Sequence, residues 1–276
     1  MTIIFKAKTR EGYSLKVLAE LLQNNIKTGC FEVDEKGIRL CMMDHHRTIL
    51  IDIDLDSDNF SVYKFKHTEK LYLGINLIHF HKMLKTIKKR DSVEFFIDDT
   101  NFTDLGIKII PKENNRITTS FIKIQNIQNI QIDLPSGYEK PVIVPSGEFQ
   151  KMCKGLTHIS NTTHITSKGF LIRFSSDAGG VMKRFTEFGE NEQNDQNDDD
   201  KDENEEFDYS EQFDSERLLR ITKIAGLNST MQIYPKSNIP LLFKTLVGSL
   251  GKISIYLKSK NLEEDESRTI DAEEET

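Results

Sequence analysis

The side chains in this sequence with the widest chemical reach are two sets of histidines, a stripe of aspartates and several rows of lysine. His45 and His46 are adjacent, and His79 and His81 flank Phe80. Zinc sites gather ligands as two close pairs, and neither histidine set has a second pair at that spacing. Asp52, Asp54 and Asp56 alternate along ILIDIDLDSDNF, with Ile51, Ile53 and Leu55 facing the other way. Such a carboxylate row could gather Mg2+ in a nuclease. The solvent side of an antiparallel strand accounts for the same row. The phosphate-cradling G-x-x-x-x-G-K-[ST], the dinucleotide fingerprint G-x-G-x-x-G and the nucleophile elbow G-x-S-x-G are all absent. The expectation is a protein without enzymatic activity, with no catalytic residue, no metal site and no cofactor.

The basic residues are better organised. In PSGEFQKMCKGLTHI, residues 145–159, helical winding puts Phe149, Met152, Cys153, Leu156 and Ile159 on one stripe. Lys151, Lys154 and His158 fall on the other face. NLIHFHKMLKTIKKR, read as a helix over 76–90, sets Lys82, Lys85, Lys88 and Lys89 opposite Leu77, Phe80, Met83, Leu84 and Ile87, and holds no acid. DSERLLRITKIAG, 214–226, offers Arg217, Arg220 and Lys223, with Asp214 and Glu216 in the cap and first turn, where the helix dipole favours them. SLKVLAELLQNNI, 14–26, is the weakest case, with Lys16 in its first turn and Glu20 beyond it.

A single basic stripe reads as a solvated helix face. Solvated faces normally mix signs, because acid–base pairs four residues apart stabilise them. Repeated exclusion of acids from the lysine side therefore points to phosphate contacts. Few aromatics interleave, which suits the backbone of a duplex, bound independently of sequence, rather than stacking on bases.

The net charge of −7 conceals this basicity until it is located along the chain. Residues 190–211 hold twelve acids and one lysine, a net of −11, and residues 263–276 hold eight acids and one arginine, a net of −7. With both set aside, the remaining 240 residues carry +11. Such like-charged blocks bury little surface and read as loops or tails. Three cysteines, Cys30, Cys41 and Cys153, form no C-x-x-C pair and suit small core residues in a reducing, intracellular compartment. No run approaches the roughly 20 apolar residues of a membrane span, so no membrane partner is expected.

Strands dominate the spaces between the four helical segments. TGCFEVDEKGIRLCMMD reads as a hairpin, and SVEFFIDD, DLGIKIIP, RITTSFIKI, THITSKGFLIRFSS, STMQIYPKS, IPLLFKTLV and KISIYLKS continue the series. The helical segments start 62, 70 and 68 residues apart, which suggests one helix plus a few antiparallel strands used four times. Two such units make a domain. The expected division is an N-terminal domain over 1–123, a connecting segment over 124–140, a C-terminal domain over 141–262 that carries the insert 190–211, and an acidic tail over 263–276. The isoleucines of the connecting segment, Ile124, Ile127, Ile130 and Ile132, either pack down on a sheet or form a partly exposed docking ledge.

With these pieces in order, the chain resembles the proliferating cell nuclear antigen family of eukaryotic- and viral-type sliding clamps. PSGEFQKMCKGLTHI looks like the opening of that family's second domain. SLKVLAELL with GIRLCMMDHHRTILIDIDL resembles its first helix and following strands, LGINLIHFHKMLK its second helix, and NIPLLFKT with ISIYLKS its last strands before an acidic tail. The resemblance implies an α+β fold, a two-domain clamp with antiparallel sheets outside and two helices inside each domain, closing into a ring, usually a homotrimer. It implies a DNA polymerase processivity factor that encircles duplex DNA and recruits replication and repair enzymes. The alternatives are a checkpoint-type clamp subunit or a monomeric DNA-binding polymerase accessory factor.

The resemblance carries DNA-facing roles onto Lys16, Lys82, Lys85, Lys151, Lys154, His158 and Lys223. It also implies a pocket for a short partner peptide at Met43, Leu50, Leu134, Tyr138, Ile239, Pro240 and Tyr256. The implied partners are DNA polymerase, a clamp loader and other replication or repair enzymes, in the nucleus or in a viral replication compartment. Where the family ends its last strand with a small residue and a proline, this chain has Lys258-Ser259, so one pocket wall is expected to differ. The insert 190–211 is expected in a hairpin, Lys168 lies near the family's modified lysine, and the subunit edges are expected at RITTSFIKI and VMKRFTEF.

Overall fold

Strict alternation over residues 51–56 is what a strand with one buried face requires, and the burial there follows it, with Ile51, Ile53 and Leu55 in the core. A computed structural model describes residues 2–113, 116–128, 130–189 and 207–266. The chain divides into two compact units, Met1–Asp133 with Gly226–Asn228 and Lys244–Ile255, and Leu134–Ala225 with Ser229–Phe243 and Tyr256–Thr276. The change at Asp133 and Leu134 falls inside the segment 124–140.

The first unit runs β1 (Ile3–Thr9), α1 (Gly12–Asn25), β2 (Thr28–Asp34), β3 (Gly37–Met43), β4 (Ile49–Asp56), β5 (Val62–Phe65), β6 (Leu71–Asn76), α2 (Leu77–Leu84), β7 (Ser92–Asp98), β8 (Asp104–Ile110) and β9 (Thr118–Lys123). One sheet is ordered β5-β1-β7-β8-β9, and β4-β3-β2-β6 form a second run, all antiparallel. Phe5, Leu15, Leu18, Leu22, Phe80 and Phe95 meet between the sheets and the helices. Each such side chain contributes about 1.5–3 kcal/mol by leaving water. α1 and α2 pack on each other. A methyl at Gly12 would lie 2.6 Å from the main-chain oxygen of Asp91, so the start of α1 comes close to the turn after α2.

The second unit runs β10 (Val142–Pro145), α3 (Ser146–Thr157), β11 (Thr162–Lys168), β12 (Leu171–Asp177), β13 (Lys183–Phe188), β14 (Tyr209–Asp214), α4 (Ser215–Ile221) and β15 (Thr230–Tyr234). β16 (Leu241–Leu246) and β17 (Gly251–Leu257) complete the strand series. The sheet order β13-β12-β11-β14 repeats the connectivity of β4-β3-β2-β6 in the first unit. Its core centres on Phe149, whose ring lies 5.9 Å from Phe174 and 5.6 Å from Phe243. α3 and α4 pack on each other as α1 and α2 do. Antiparallel sheets with paired helices in each unit are the architecture of a two-domain clamp.

Four local expectations change. The second helix stops at Leu84 instead of reaching residue 90. Asp91, itself buried, accepts from the Lys88 amide at 2.9 Å, while the Ile87 amide bonds to Leu84 O at 3.0 Å. A side chain that takes a backbone N–H competes directly with the helix. The fourth helix likewise stops at Ile221 and tightens into a 3-10 turn over Thr222–Gly226, where Thr222 donates its hydroxyl to Leu219 O. The first helix begins two residues early, at Gly12. The insert does not sit in a hairpin. It joins β13 and β14, which are the opposite edges of one sheet; of its residues, 190–206 lie outside the described residues.

Candidate nucleic-acid interface and partner pocket

The helices bury one side and leave a narrow outer row, and that row carries the basic residues. On α1 only Lys16, Glu20 and Gln23 stand half-exposed along the middle turns. Lys16 donates to Ile87 O at 3.1 Å and lies 5.7 Å from the centre of the Tyr13 ring. Lys89 approaches the same ring at 6.0 Å, so Tyr13 links α1 to the turn after α2. On α2 the buried positions are Leu77, Phe80 and Leu84, which leaves Lys82 exposed, with Lys85 exposed at the cap. Asn76 caps this helix by accepting from the His79 amide at 3.0 Å. Lys88 and Lys89 are exposed in the turn beyond it and are not helical.

On α3, burial of Phe149, Met152, Cys153 and Leu156 turns Lys151, Lys154 and His158 to solvent. Lys82, Lys85, Lys88 and Lys154 form no ion pair among the described residues. The remaining rows are less free of acid than the sequence pattern indicated. Lys151 pairs with Glu148 at 2.8 Å, and Arg220 approaches Glu216 at 4.0 Å. Both carboxylates sit in first turns, where the dipole favours them, and from there they reach cations three or four residues on. Arg217 departs furthest. It is half-buried and ion-paired to Glu263 at the start of the acidic tail, so its charge is already met within the chain. Lys223 sits half-exposed in the 3-10 turn.

The seven residues implied for a partner pocket fall in two groups, one in each unit. Met43 and Leu50 face each other across β3 and β4 in the first unit. The other five belong to the second unit, where Tyr138 organises two of the rest, Pro240 and Tyr256, together with Tyr234. Its hydroxyl donates to Pro240 O at 2.6 Å, and its ring lies 6.1 Å from Tyr256 and 6.2 Å from Tyr234. Burial, and then the neighbouring Tyr256, push the Tyr138 phenol well above its ordinary pKa, so it remains a donor. Leu134 is exposed and Ile239 half-exposed. Tyr234 was not among the residues marked by the sequence, although an aromatic closing a strand directly before Pro235 was the available sign.

The residues weighed for catalysis do not converge. His45 and His46 stack edge to face at 5.3 Å in the turn after Asp44, and no group of three or more metal-ligating side chains occurs among the described residues. Asp54 is met by Arg39 at 3.5 Å and by Lys252 at 3.5 Å, as rungs of a charged ladder across the sheet. Ile127, in the connecting segment, closes over Gly74, and Gln125 bridges to the same glycine, so this part of the segment packs on β6.

Comparison with known proteins agrees with this architecture along the chain. The family model described as proliferating cell nuclear antigen, N-terminal domain, matches residues 4–133, and that described as its C-terminal domain matches residues 133–260. The chain is 26% identical over 260 residues to the Probable DNA polymerase sliding clamp 1 of Paramecium bursaria Chlorella virus 1, covering 92% of this chain and 96% of that protein. It is 23% identical over 266 residues to the Probable DNA polymerase sliding clamp of Autographa californica nuclear polyhedrosis virus, covering 95% of this chain and 99% of that protein. With both domain models matched end to end on two units of paired helices and antiparallel sheets, the chain belongs to the proliferating cell nuclear antigen family.

Proposed function

We propose that this chain is a DNA sliding clamp, a processivity factor that keeps a DNA polymerase on its template, and that it does so by closing a homotrimeric ring around duplex DNA. The observation that carries the DNA-facing assignment is the row of exposed cations on α2 and α3. Lys82, Lys85 and Lys154 are free of acidic partners among the described residues and lie opposite the buried stripes that fix each helix on its sheet. A topological tether needs only weak phosphate contacts, because a lining of spaced lysines centres the duplex without arresting sliding. Lys16, Lys88, Lys89, Lys151, His158, Arg220 and Lys223 extend the same lining, and Arg217 joins it only when Glu263 lets go.

Ring closure is assigned to β9 and β13, which are sheet edges among the described residues and expose Phe121 and Phe185. One edge meets a different edge on the next copy, the head-to-tail arrangement that produces a ring when the rotation closes. Tyr138, Ile239, Pro240, Tyr256 and Leu134 of the second unit receive a short helical peptide carrying aromatic anchors from polymerases, the loader and other replication or repair enzymes. The protein works in a replication compartment, nuclear or viral, and performs no catalysis.

The test is primer extension by the cognate polymerase with the chain loaded on circular template, comparing wild type with a K82E/K85E/K151E/K154E variant of matched melting temperature. Shortened products support the assignment, and unchanged product length refutes the lining. Solution mass by light scattering separates a single-species trimer from a monomeric accessory factor or a subunit that needs different partner chains.

A further inference from the structure

We infer that Arg184, a residue of β13 rather than of any helix, is a further contact to the duplex backbone, and that the cleft between β13 and α3 seats one phosphate against its guanidinium. The inference rests on the reading of α3 as a DNA-facing helix and adds to that surface a residue from a different element.

The register of the four-stranded sheet fixes the side on which Arg184 lies. Across β12 and β13, Ile172 is opposite Phe188, Phe174 opposite Thr186 and Ser176 opposite Arg184. Directly opposed residues share a face of the sheet. Ile172, Phe174 and Ser176 are buried, and the Phe174 ring meets Phe149 of α3 at 5.9 Å, so this is the face that carries the helix. Alternation turns the neighbours Lys183 and Phe185 to the other face. Pairing of β13 with another strand uses main-chain groups in the plane of the sheet, and so does not consume a side chain that stands off the helix face.

Local geometry brings Arg184 onto α3. An open cleft of about 330 Å3 is lined from the helix by Lys151, Met152 and Gly155 and from the strand by Arg184, Thr186 and Phe188. Arg184 Nη1 donates to Gly155 O at 3.5 Å. A methyl at Gly155 would stand 2.8 Å from the same nitrogen. Glycine is unfavourable inside a helix, and here its missing side chain is what lets the guanidinium lie against the turn. Lys151 sits one turn earlier on the same face, and the exposed Lys154 directly precedes Gly155.

Charge separates Arg184 from its neighbours. Glu148 also lines the cleft, but it is engaged by Lys151 at 2.8 Å. Arg184 is exposed and forms no ion pair among the described residues; its partner is a neutral carbonyl. The planar guanidinium carries a fork of N–H donors, so one bond to a carbonyl leaves others for two oxygens of a phosphate. Such a contact positions a duplex without reading its bases.

The test uses the full chain and a fluorescently labelled duplex of mixed sequence, with affinity followed by anisotropy through a salt titration. Arg184→Gln lowers the slope of log affinity against log salt by about 0.9, the value of one phosphate, and weakens binding about fivefold at about 0.1 M salt, with solution mass and melting temperature unchanged. Arg184→Lys keeps the slope, because the charge remains, and loses part of the affinity with the fork. Lys154→Gln reports separately on the reading of α3. A slope lowered by Lys154→Gln but not by Arg184→Gln overturns the inference and leaves that reading in place. If neither variant moves the slope, the reading falls and the inference falls with it. A changed solution mass for Arg184→Gln assigns the residue to contact between copies and likewise overturns the inference.

Discussion

Tyr138 donates its phenolic proton to the main-chain oxygen of Pro240 at 2.6 Å, which ties the end of the connecting segment to the loop before β16. This bond holds the aromatic face of Tyr138 against Tyr256 and leaves Ile239 at its margin half-exposed. Tyr138→Phe keeps the ring and removes the donor, leaving a carbonyl unsatisfied. The expected loss is about 1 kcal/mol of stability, with several-fold weaker binding of anchored peptides. Ile239→Ala combined with Pro240→Ala is expected to weaken the same peptides further, and unaltered affinity in the double variant would remove the pocket assignment.

The DNA contacts are expected to be electrostatic and additive. Charge removal at Lys82, Lys85 and Lys154 should lower the salt dependence of duplex binding by about one counterion per lysine, with no change in melting temperature. Glu263→Gln should act in the opposite direction by releasing Arg217, steepening the dependence. A salt titration of duplex affinity for the two variants decides both points.

The edge strands β9 and β13 are expected to hold the copies together. Phe121→Asp or Phe185→Asp places a charge on an exposed apolar edge and should convert the proposed trimer to monomers without unfolding either unit. Light scattering together with circular dichroism separates dissociation from unfolding, and a variant that remains trimeric would assign the contact elsewhere.

Asp52 gives a pH-dependent prediction. Burial first, and then its neighbour Asp54, raise its carboxyl above the ordinary aspartate value, against the lowering effect of Lys252 and Lys244. The folded state therefore holds this proton more tightly than the unfolded state. The group's contribution to stability is full at pH below the ordinary value and declines as pH rises through the window up to the raised folded value. Asp52→Asn, which cannot ionise, should raise the melting temperature at neutral pH relative to wild type and make no gain in acid. A constant difference across pH would show that the effect is not ionisation.

Gly74 tests the seat of the connecting segment. A methyl there would lie 2.2 Å from Gln125 O and 2.7 Å from Ile127 Cδ1. Gly74→Ala must push the segment off β6, at a cost of about 1–3 kcal/mol. Faster proteolysis near Gln125, with the core of the first unit intact, is the expected readout.

Much of this protein was legible in the order of its residues. The alternation over residues 51–56 and the apolar stripe of Phe149, Met152, Cys153 and Leu156 each imposed one element type, because a strand repeats every two residues and a helix every 3.6. The same periodicity fixed which side of α3 keeps Lys151, Lys154 and His158 in water. Where elements stop was not legible. NLIHFHKMLKTIKKR keeps a helical period to residue 90, and only the folded position of Asp91 shows that its carboxylate takes the Lys88 amide and ends the helix early.

The sequence by itself determined the element types, the basic outer rows and the concentration of acid in two blocks, since these depend on local period and composition. Tertiary structure decided which charges remain available. Arg217 and Glu263 stand 46 residues apart in the chain, and Lys258 meets Glu266 only because residues 260–266 fold back on their own unit. Pairing of that kind is set by distance in space, which periodicity along a chain does not encode.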